Sequence, residues 1–212
     1  MIRPLCFSLL LAFAPLPLFA VTYTLEPDYT QGVFRWSHLG FSSPAAQFAQ
    51  SQGTLEFDAA DPTKSSVKVT ISLGTLNTGV AALDEHLRSA DFFDVTKYPT
   101  ATFRSTSVQK TTAPNKLKVT GDLNLHGVTK AVTLDVTLVK IGTNPRSAVP
   151  TIGFDATTTL VRSEFGLGKF VPQVSDKIEM RITCQAAEAK AHAEFLKAQA
   201  AEEAAAKDKS KR

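Results

Sequence analysis

Residues 117–125 read LKVTGDLNL, and this stretch carries the pattern that decides the fold. Apolar residues stand at every second position except the central glycine, and polar residues fill the positions between them. Successive side chains of a β-strand point to opposite faces of the sheet. The stretch therefore predicts a strand with one solvated face and one apolar face, the latter formed by Leu117, Val119, Leu123 and Leu125.

The same alternation recurs along the chain at the spacing of an all-β protein. It is clearest in three further stretches: VKVTISL at 67–73, VTLDVTL at 132–138 and KIEMRITC at 177–184. Additional candidate strands are residues 32–41, 53–58, 100–108 and 151–162. Turn-forming pairs such as His126-Gly127 separate them, and long helical patterns between strands are absent. We therefore expect about eight antiparallel strands in a sandwich or a barrel.

Two segments interrupt this rhythm, and a third follows it. Residues 80–88 favour a short helix with Leu83 and Leu87 pointing inward, and residues 164–176 form a glycine-bearing insertion. Residues 187–212 are rich in alanine, lysine and glutamate, which predicts a helical tail. Because the tail has few large apolar residues, a solvated helix is favoured over a lid or a partner-binding helix.

The amino terminus is expected to be a leader rather than part of the fold. Residues 1–20 combine a positive start at Arg3 with a short apolar run broken by prolines, which is typical of a secretory signal peptide. Residues 21–186 then form one barrel domain of an exported protein. Loss of Cys6 with the leader would leave Cys184 alone, so the core would hold the fold without an internal disulfide.

Charge and motifs argue against several function classes. The formal net charge is only +3 and basic residues are scattered among acids, so a nucleic-acid-binding surface is not expected. The motifs GxSxG, HExxH, CxxC and the Walker loop are missing. Cys184 lies on the apolar face of a strand, which favours a buried thiol over a nucleophile. We therefore assign no catalytic residue and no cofactor.

The histidines and acids leave one chemical alternative open. His38, His86 and His126 all fall within the barrel domain, and zinc accepts three histidines from separate parts of a chain. Residues 83–103, LDEHLRSADFFDVTKYPTATF, also place two acids beside His86, as acid–base chemistry would need. Adjacent acids on a helix point in different directions, however, so we favour a structural helix-to-strand connection with apolar anchors.

The aromatic residues predict an oily interior. The chain has 14 phenylalanines but only 3 tyrosines, so most of its rings carry no polar group. A barrel of about eight strands can fill its interior with side chains or hold one small ligand. The composition fits both arrangements.

The sequence also resembles a known family. HLRSADFFDVTKYPTATFRST, residues 86–106, closely resembles the signature of the YceI-like family of polyisoprenoid-binding proteins. Further matching pieces are HLGF at 38–41, GTLEFD at 53–58, GDLNLHGVTKAVTLDV at 121–136, FDATTTLVRSEFGLG at 154–168 and VSDKIEM at 174–180. The matches span Tyr23 to Cys184 and exclude the tail. Ala131 stands where the family more often has proline.

The resemblance implies a lipocalin-like antiparallel β-barrel in the periplasm that holds an isoprenoid or other long-chain lipid, with no catalytic role. The spacing of the histidines leads us to assign no metal-binding residue. Combined with the alternation, it predicts these lipid-binding residues: Phe34, Trp36, His38, Phe41, Leu55, Phe57, Val69, Ile71, Phe92, Phe93, Phe103, Phe154, Phe165, Leu167, Phe170, Ile178 and Met180. Arg35 and Arg162 are the candidates for contact with a polar head group.

Two other function classes stay open at this point. One is a metal-dependent enzyme that uses the barrel histidines, and the other is an interaction module that acts through residues 187–212. Transient contact with a membrane and a dimeric state are both compatible with the sequence, which does not define the oligomeric state.

Overall fold

The computed structural model describes residues 20–209, so the predicted leader lies outside the described residues except for Ala20. The described residues form ten β-strands and two α-helices. The strands are β1 (Val21–Leu25), β2 (Gln31–Arg35), β3 (Ala45–Phe48), β4 (Gln52–Phe57), β5 (Ser66–Ser72), β6 (Thr100–Lys110), β7 (Lys116–Leu125), β8 (Val128–Thr143), β9 (Pro150–Val161) and β10 (Lys177–Glu188). The helices are α1 (Ala81–Arg88) and α2 (Ala189–Lys209).

The strands form one antiparallel sheet that closes on itself. Their order is β1-β4-β5-β6-β7-β8-β9-β10-β2-β3, and β1 also pairs with β10. Strands β1 and β2 lie end to end along β10, which pairs with β2 over residues 179–183 and with β1 over residues 186–188. Strand β3 pairs with β2 while β4 pairs with β1. The fold is thus an eight-stranded barrel whose first two strands are each broken in two, which confirms the predicted antiparallel barrel.

The break between β1 and β2 is closed by a single carbonyl group. Opposite Gln185 of β10, a short 3-10 turn at Pro27–Tyr29 carries the chain away from the barrel wall. The carbonyl of Gln185 accepts a hydrogen bond from the Glu26 N–H at 2.9 Å and another from the Thr30 hydroxyl at 3.2 Å. Because these donors flank the excursion, the backbone stays hydrogen-bonded there without a continuous strand.

The predicted alternation is confirmed on the barrel wall. Val119 and Leu123 of β7 are buried in the interior, whereas their neighbours Lys118 and Asp122 are exposed. The main core cluster gathers the inward side chains of β5 to β10 with those of β2 and β3. A second cluster, around Tyr23, packs at the end of the barrel where β9 begins and β10 ends.

One glycine on this wall is required by close packing. A Cβ atom at Gly121 would lie 2.5 Å from the ring of Phe103 and 2.5 Å from the carbonyl oxygen of Arg104. Only a residue without a side chain leaves room at this point for the Phe103 ring and the Arg104 carbonyl.

The structure differs from the predicted strands in several places. Strands β1 and β3 were not predicted, and β8 continues to Thr143 through a bulge between Leu138 and Lys140. Strand β2 ends at Arg35 rather than at residue 41. The chain turns there instead, and Leu39 adopts a positive φ of 55° that no strand residue has.

Two segments cover one end of the barrel, which we call the upper end. They are the α1 segment, residues 73–99, and the upper loop, residues 162–176. Leu87 of α1 is buried and Leu83 packs against the core, as the sequence predicts. The upper end is where β6 begins and β7 ends.

The hairpin turn between β7 and β8 anchors both covering segments. His126 and Gly127 have φ values of 53° and 76°, as a two-residue turn between twisted strands requires. The His126 ring lies 4.7 Å from the ring of Tyr98 in the α1 segment. Its Nδ1 atom lies 3.1 Å from the carbonyl oxygen of Phe165 in the upper loop, so that nitrogen is the donor.

The predicted helical tail is present as α2. The Glu188 carboxylate accepts hydrogen bonds from the N–H groups of Lys190 and Ala191, at 3.2 and 2.8 Å, and so caps the first turn. Within residues 20–209, no helix has both the length and the apolar character needed to cross a membrane.

Candidate ligand cavity

The barrel encloses a cavity of about 390 Å³, a size within the range of small-molecule sites. Aliphatic and aromatic side chains from strands around the whole wall, from the α1 segment and from the upper loop line it. Polar lining groups are few: Thr30, Gln31, Ser51, Ser65, Ser66 and Thr158 on the wall and at the lower end, and His38, His86 and Arg162 at the upper end. Such a space suits an apolar guest.

A cluster of four aromatic rings builds one side of the cavity. The ring centroids of Phe34 and Phe48 lie 5.2 Å apart, and those of Phe34 and Trp36 lie 5.8 Å apart. Phe93 from the α1 segment meets Phe48 edge-on at 5.4 Å. These are favourable arrangements for aromatic pairs, so Phe93 fastens the α1 segment to the wall from inside.

Most of the residues predicted to contact lipid do line this cavity. They are Phe34, Trp36, His38, Leu55, Phe57, Val69, Ile71, Phe92, Phe93, Phe103, Phe154, Phe165, Leu167, Phe170, Ile178 and Met180. Arg162 also lines it. Their contact with a lipid remains a prediction.

Two predicted residues lie elsewhere. Phe41 is 91% exposed and does not line the cavity, because β2 ends before it and the chain turns outward. Arg35 is exposed on β2 between the inward-facing Phe34 and Trp36, so the alternation directs it to the outer face. Neither residue is placed to contact a ligand within the barrel.

Arg162 is buried at the upper end of the cavity, and its guanidinium serves the protein's own backbone. It donates from Nε to the Ser175 carbonyl and from Nη2 to the Val174 carbonyl, each at 2.9 Å. Nη1 donates to the carbonyls of Lys169, at 2.9 Å, and Leu167. Burial lowers the pKa of this side chain. Four of its five N–H groups thus hold the upper loop, which leaves one for a ligand at most.

The two covering segments meet above the cavity. The His86 ring lies 5.0 Å from that of Phe92 and 6.4 Å from that of Phe170, and Phe92 and Phe170 lie 6.2 Å apart. The Lys169 ammonium contacts the Asp91 carboxylate in an ion pair that lowers the pKa of Asp91. All three rings line the cavity, and Phe170 is 50% exposed. We call this contact the mouth, because the lining meets solvent here.

The acids of residues 83–103 have structural contacts. Asp84 accepts hydrogen bonds from the N–H and the hydroxyl of Thr78, at 2.7 and 2.6 Å, and these bonds lower its pKa. Arg88 donates to the carbonyl of Leu76. Neither Asp84 nor Glu85 lines the cavity. These contacts agree with the interpretation of the stretch as a structural connection.

The metal-site hypothesis has no donor set in the described part of the chain. Across residues 20–209, no three His, Cys, Asp or Glu side chains come together closely enough to hold a metal ion. His38 and His86 lie at the upper end of the cavity, while His126 is engaged in the β7–β8 turn. Burial raises the pKa of the Cys184 thiol to about 11, so at neutral pH it is protonated and weakly nucleophilic.

Sequence reasoning missed several lining residues next to the strand breaks. Phe48 follows Ala46 on the inner face of β3, but two alanines made the alternation of this strand hard to see. Thr30 and Ser51 are buried at the starts of β2 and β4. The breaks in the first two strands create these polar positions, and no regular alternation marks them.

Comparisons with known proteins agree with this architecture. A family model described as the YceI-like domain matches residues 23–186. Protein YceI of Shigella flexneri is 39% identical over 157 residues, covering 74% of this chain and 81% of that protein. The YCEI protein of Campylobacter jejuni is 29% identical with a TM-score of 0.63, covering 73% of this chain and 90% of that structure.

A more distant structure shares the fold alone. A polyisoprenoid binding domain from Saccharophagus degradans, implicated in plant cell wall breakdown, is 14% identical with a TM-score of 0.63. The match covers 79% of this chain and 99% of that domain. Because the family model covers most of the chain and the Shigella protein is similar over most of its length, this chain belongs to the YceI-like family.

Proposed function

We propose that this chain is a periplasmic lipid-binding protein that holds a long apolar molecule, a polyisoprenoid or a related isoprenoid or fatty-acyl lipid, inside its barrel. It would sequester, store or transport that lipid. The observation that carries the proposal is the apolar cavity of about 390 Å³ within a closed barrel.

The lining favours binding by burial of hydrocarbon. Each CH₂ group removed from water contributes about 0.8 kcal/mol, so affinity should rise with the length of apolar chain inside the barrel. The wall offers few hydrogen-bonding groups, and the guanidinium of Arg162 is largely occupied by backbone carbonyls. Selectivity among head groups should therefore be weak.

Two observations outside the cavity support the ligand class and the compartment. The Saccharophagus degradans domain, described as polyisoprenoid binding, has the same fold. The signal-peptide pattern at residues 1–20 supports export, and an isoprenoid in an aqueous compartment needs a carrier that shields it from water.

The cavity chemistry supports a binder rather than an enzyme. Two acids of the α1 segment, Asp84 and Asp91, are engaged by Thr78 and Lys169, and none of these four residues lines the cavity. The Cys184 thiol is protonated at neutral pH because burial raises its pKa to about 11. No lining group pairs a nucleophile with a base, as covalent catalysis would require.

Trp36 supplies the test. It is the only tryptophan of the chain, it is 9% exposed, and it lines the cavity. Protein stripped of lipid is titrated with a long polyprenol while tryptophan emission is recorded. The proposal expects blue-shifted emission that changes saturably at about one polyprenol per barrel. An emission spectrum like that of free tryptophan in water, unchanged by polyprenol or a long-chain fatty acid, would contradict it.

Export has its own test. The full chain and a version without residues 2–20 are produced in a Gram-negative host, and the osmotic-shock fraction is assayed for each. The proposal expects only the full chain in that fraction, shortened at its amino terminus. A full-length chain retained in the cytoplasm would contradict the periplasmic assignment.

A further inference from the structure

The turn that follows β2 projects apolar side chains into solvent at the upper end. Phe41 is 91% exposed and Leu39 is 51% exposed, although both are large and apolar. Phe170 in the upper loop is 50% exposed, and Val80, just before α1, is 56% exposed. Scattered single hydrophobic residues need no explanation, but several on the segments around one opening mark an interaction site.

This turn, residues 38–42, is closed and tied to the upper loop. The N–H of His38 donates to the Ser42 carbonyl at 2.9 Å, and the N–H of Phe41 donates to the His38 carbonyl at 3.0 Å. The N–H of Leu39 donates to the Gln173 carbonyl of the upper loop at 2.9 Å. Backbone hydrogen bonds therefore hold the exposed side chains against the upper loop, the segment that carries Phe170 at the mouth.

The backbone conformation supports a role for the leucine itself. Leu39 has a φ of 55°, in a region that glycine and asparagine adopt far more readily than leucine. The next residue, Gly40, has a φ of 74°. A large apolar side chain is thus presented to water from a position where a small polar residue would fit the backbone better.

The chemistry of the expected ligand identifies what this surface meets. A long isoprenoid resides in a bilayer and does not cross water freely, so a carrier must receive it at a membrane surface. Turn tips such as Phe41 can enter the interfacial layer of a bilayer without the shape complementarity that a protein partner requires. The Lys169 ammonium near the mouth is paired with Asp91, so attraction to anionic head groups should add little.

From these contacts we propose that the upper end docks on a lipid bilayer, with Leu39 and Phe41 inserted in its interface and the mouth facing the membrane. The docked protein exchanges its lipid with the bilayer through the contact between Phe170 and the α1 segment. This inference rests on the proposed function and adds the surface through which the cavity is filled.

The test compares two routes of filling the cavity. Protein stripped of lipid receives a polyprenol either from phosphatidylcholine vesicles or from a dilute detergent solution, and Trp36 emission reports uptake. The test variant is Leu39→Asn with Phe41→Ser. The matched control is Val139→Thr with Ile141→Thr, which alters two residues of 60% and 49% exposure toward the other end of β8.

The inference expects the test variant to fill from detergent at the wild-type rate but from vesicles about tenfold more slowly, which corresponds to about 1.4 kcal/mol. Its vesicle binding in a flotation assay should fall by a similar factor, and raised salt should leave wild-type binding nearly unchanged. Equal uptake from vesicles by the test variant and the wild type would overturn the inference, as would an equal loss in the control. Wild-type protein that fills by neither route would instead refute the proposed function.

Discussion

The ring of Phe170 stacks against the ring of His86 at a centroid distance of 6.4 Å, and this contact joins the two segments that cover the barrel. Both side chains line the cavity, yet both are exposed to solvent. We expect a long ligand to enter and leave at the point where these two rings meet.

Phe170→Ala should accelerate ligand exchange with little effect on stability. Phe170 is 50% exposed, so its truncation should change the free energy of unfolding by less than about 1 kcal/mol. The rate at which Trp36 emission responds to a competing lipid should rise several-fold. Leu196→Ala, at a residue of 48% exposure on α2, is the matched control and should leave the rate unchanged. An unchanged rate in Phe170→Ala would show that the ligand leaves by another path.

Phe93→Ala should be strongly destabilising, because Phe93 is 8% exposed and packs against the rings of Phe34 and Phe48. Truncation of a buried phenylalanine costs about 3–5 kcal/mol, which in a protein of this size lowers Tm by about 10 °C. Glu85→Ala, at an exposed position of α1, should stay within about 0.5 kcal/mol of wild type. Thermal unfolding of both variants decides the matter: equal Tm values would mean that Phe93 is not an anchor.

Arg162→Ala should loosen the upper loop, because four hydrogen bonds from one buried guanidinium to backbone carbonyls disappear together. Loss of charged hydrogen bonds to buried carbonyls should lower the free energy of unfolding by about 2–4 kcal/mol. Arg162→Lys should recover only part of this, since an ammonium cannot reproduce the planar fork. Hydrogen exchange of the amides of residues 166–175 should increase in both variants. If Arg162→Ala instead kept the wild-type hydrogen-exchange protection but lost lipid binding, the role of Arg162 would be to contact the ligand.

Protonation of Asp84 should contribute to the loss of stability at low pH. The hydrogen bonds from Thr78 hold the pKa of Asp84 below its usual value, so its contribution is complete above the unfolded pKa of about 3.9 and is lost as pH falls through the folded pKa. Asp84→Asn keeps an oxygen acceptor but does not titrate, so its Tm should fall less steeply below about pH 4. Asp122→Asn, on the exposed face of β7, controls for net charge. If Tm fell equally steeply with pH in the wild type and in Asp84→Asn, this role of Asp84 would be contradicted.

The barrel was predictable from sequence because side-chain alternation is a local signal. In β7 and β10 the apolar phase lies on the interior face along the predicted stretches, so alternation and position agree. Alternation does not report where a strand stops, which is why the sequence predicts a strand through residues 36–41 and an interior position for Phe41. The turn with a positive φ at Leu39 is tied by a backbone hydrogen bond to the distant Gln173, which no local pattern reveals.

The role of Arg162 was hidden for a similar reason. Its position after β9 identified it as a polar group near the end of the barrel, but its partners are carbonyl groups 5 to 13 residues further along the chain. Backbone carbonyls carry no side-chain signature, so a sequence cannot show that a guanidinium is already occupied. The lining residues of the regular strands, by contrast, follow from the phase of each strand.

The most direct test of the central claim is native mass spectrometry of the protein purified from its own compartment without harsh detergent, followed by organic extraction. The proposed function predicts a mass above that of the polypeptide and one extracted isoprenoid or long-chain acyl lipid per barrel. Leu134→Trp, which places a bulky ring at a half-buried lining position, should lower the occupied fraction. A wild-type mass equal to that of the bare polypeptide, with no uptake of polyprenol or fatty acid afterwards, would contradict the claim.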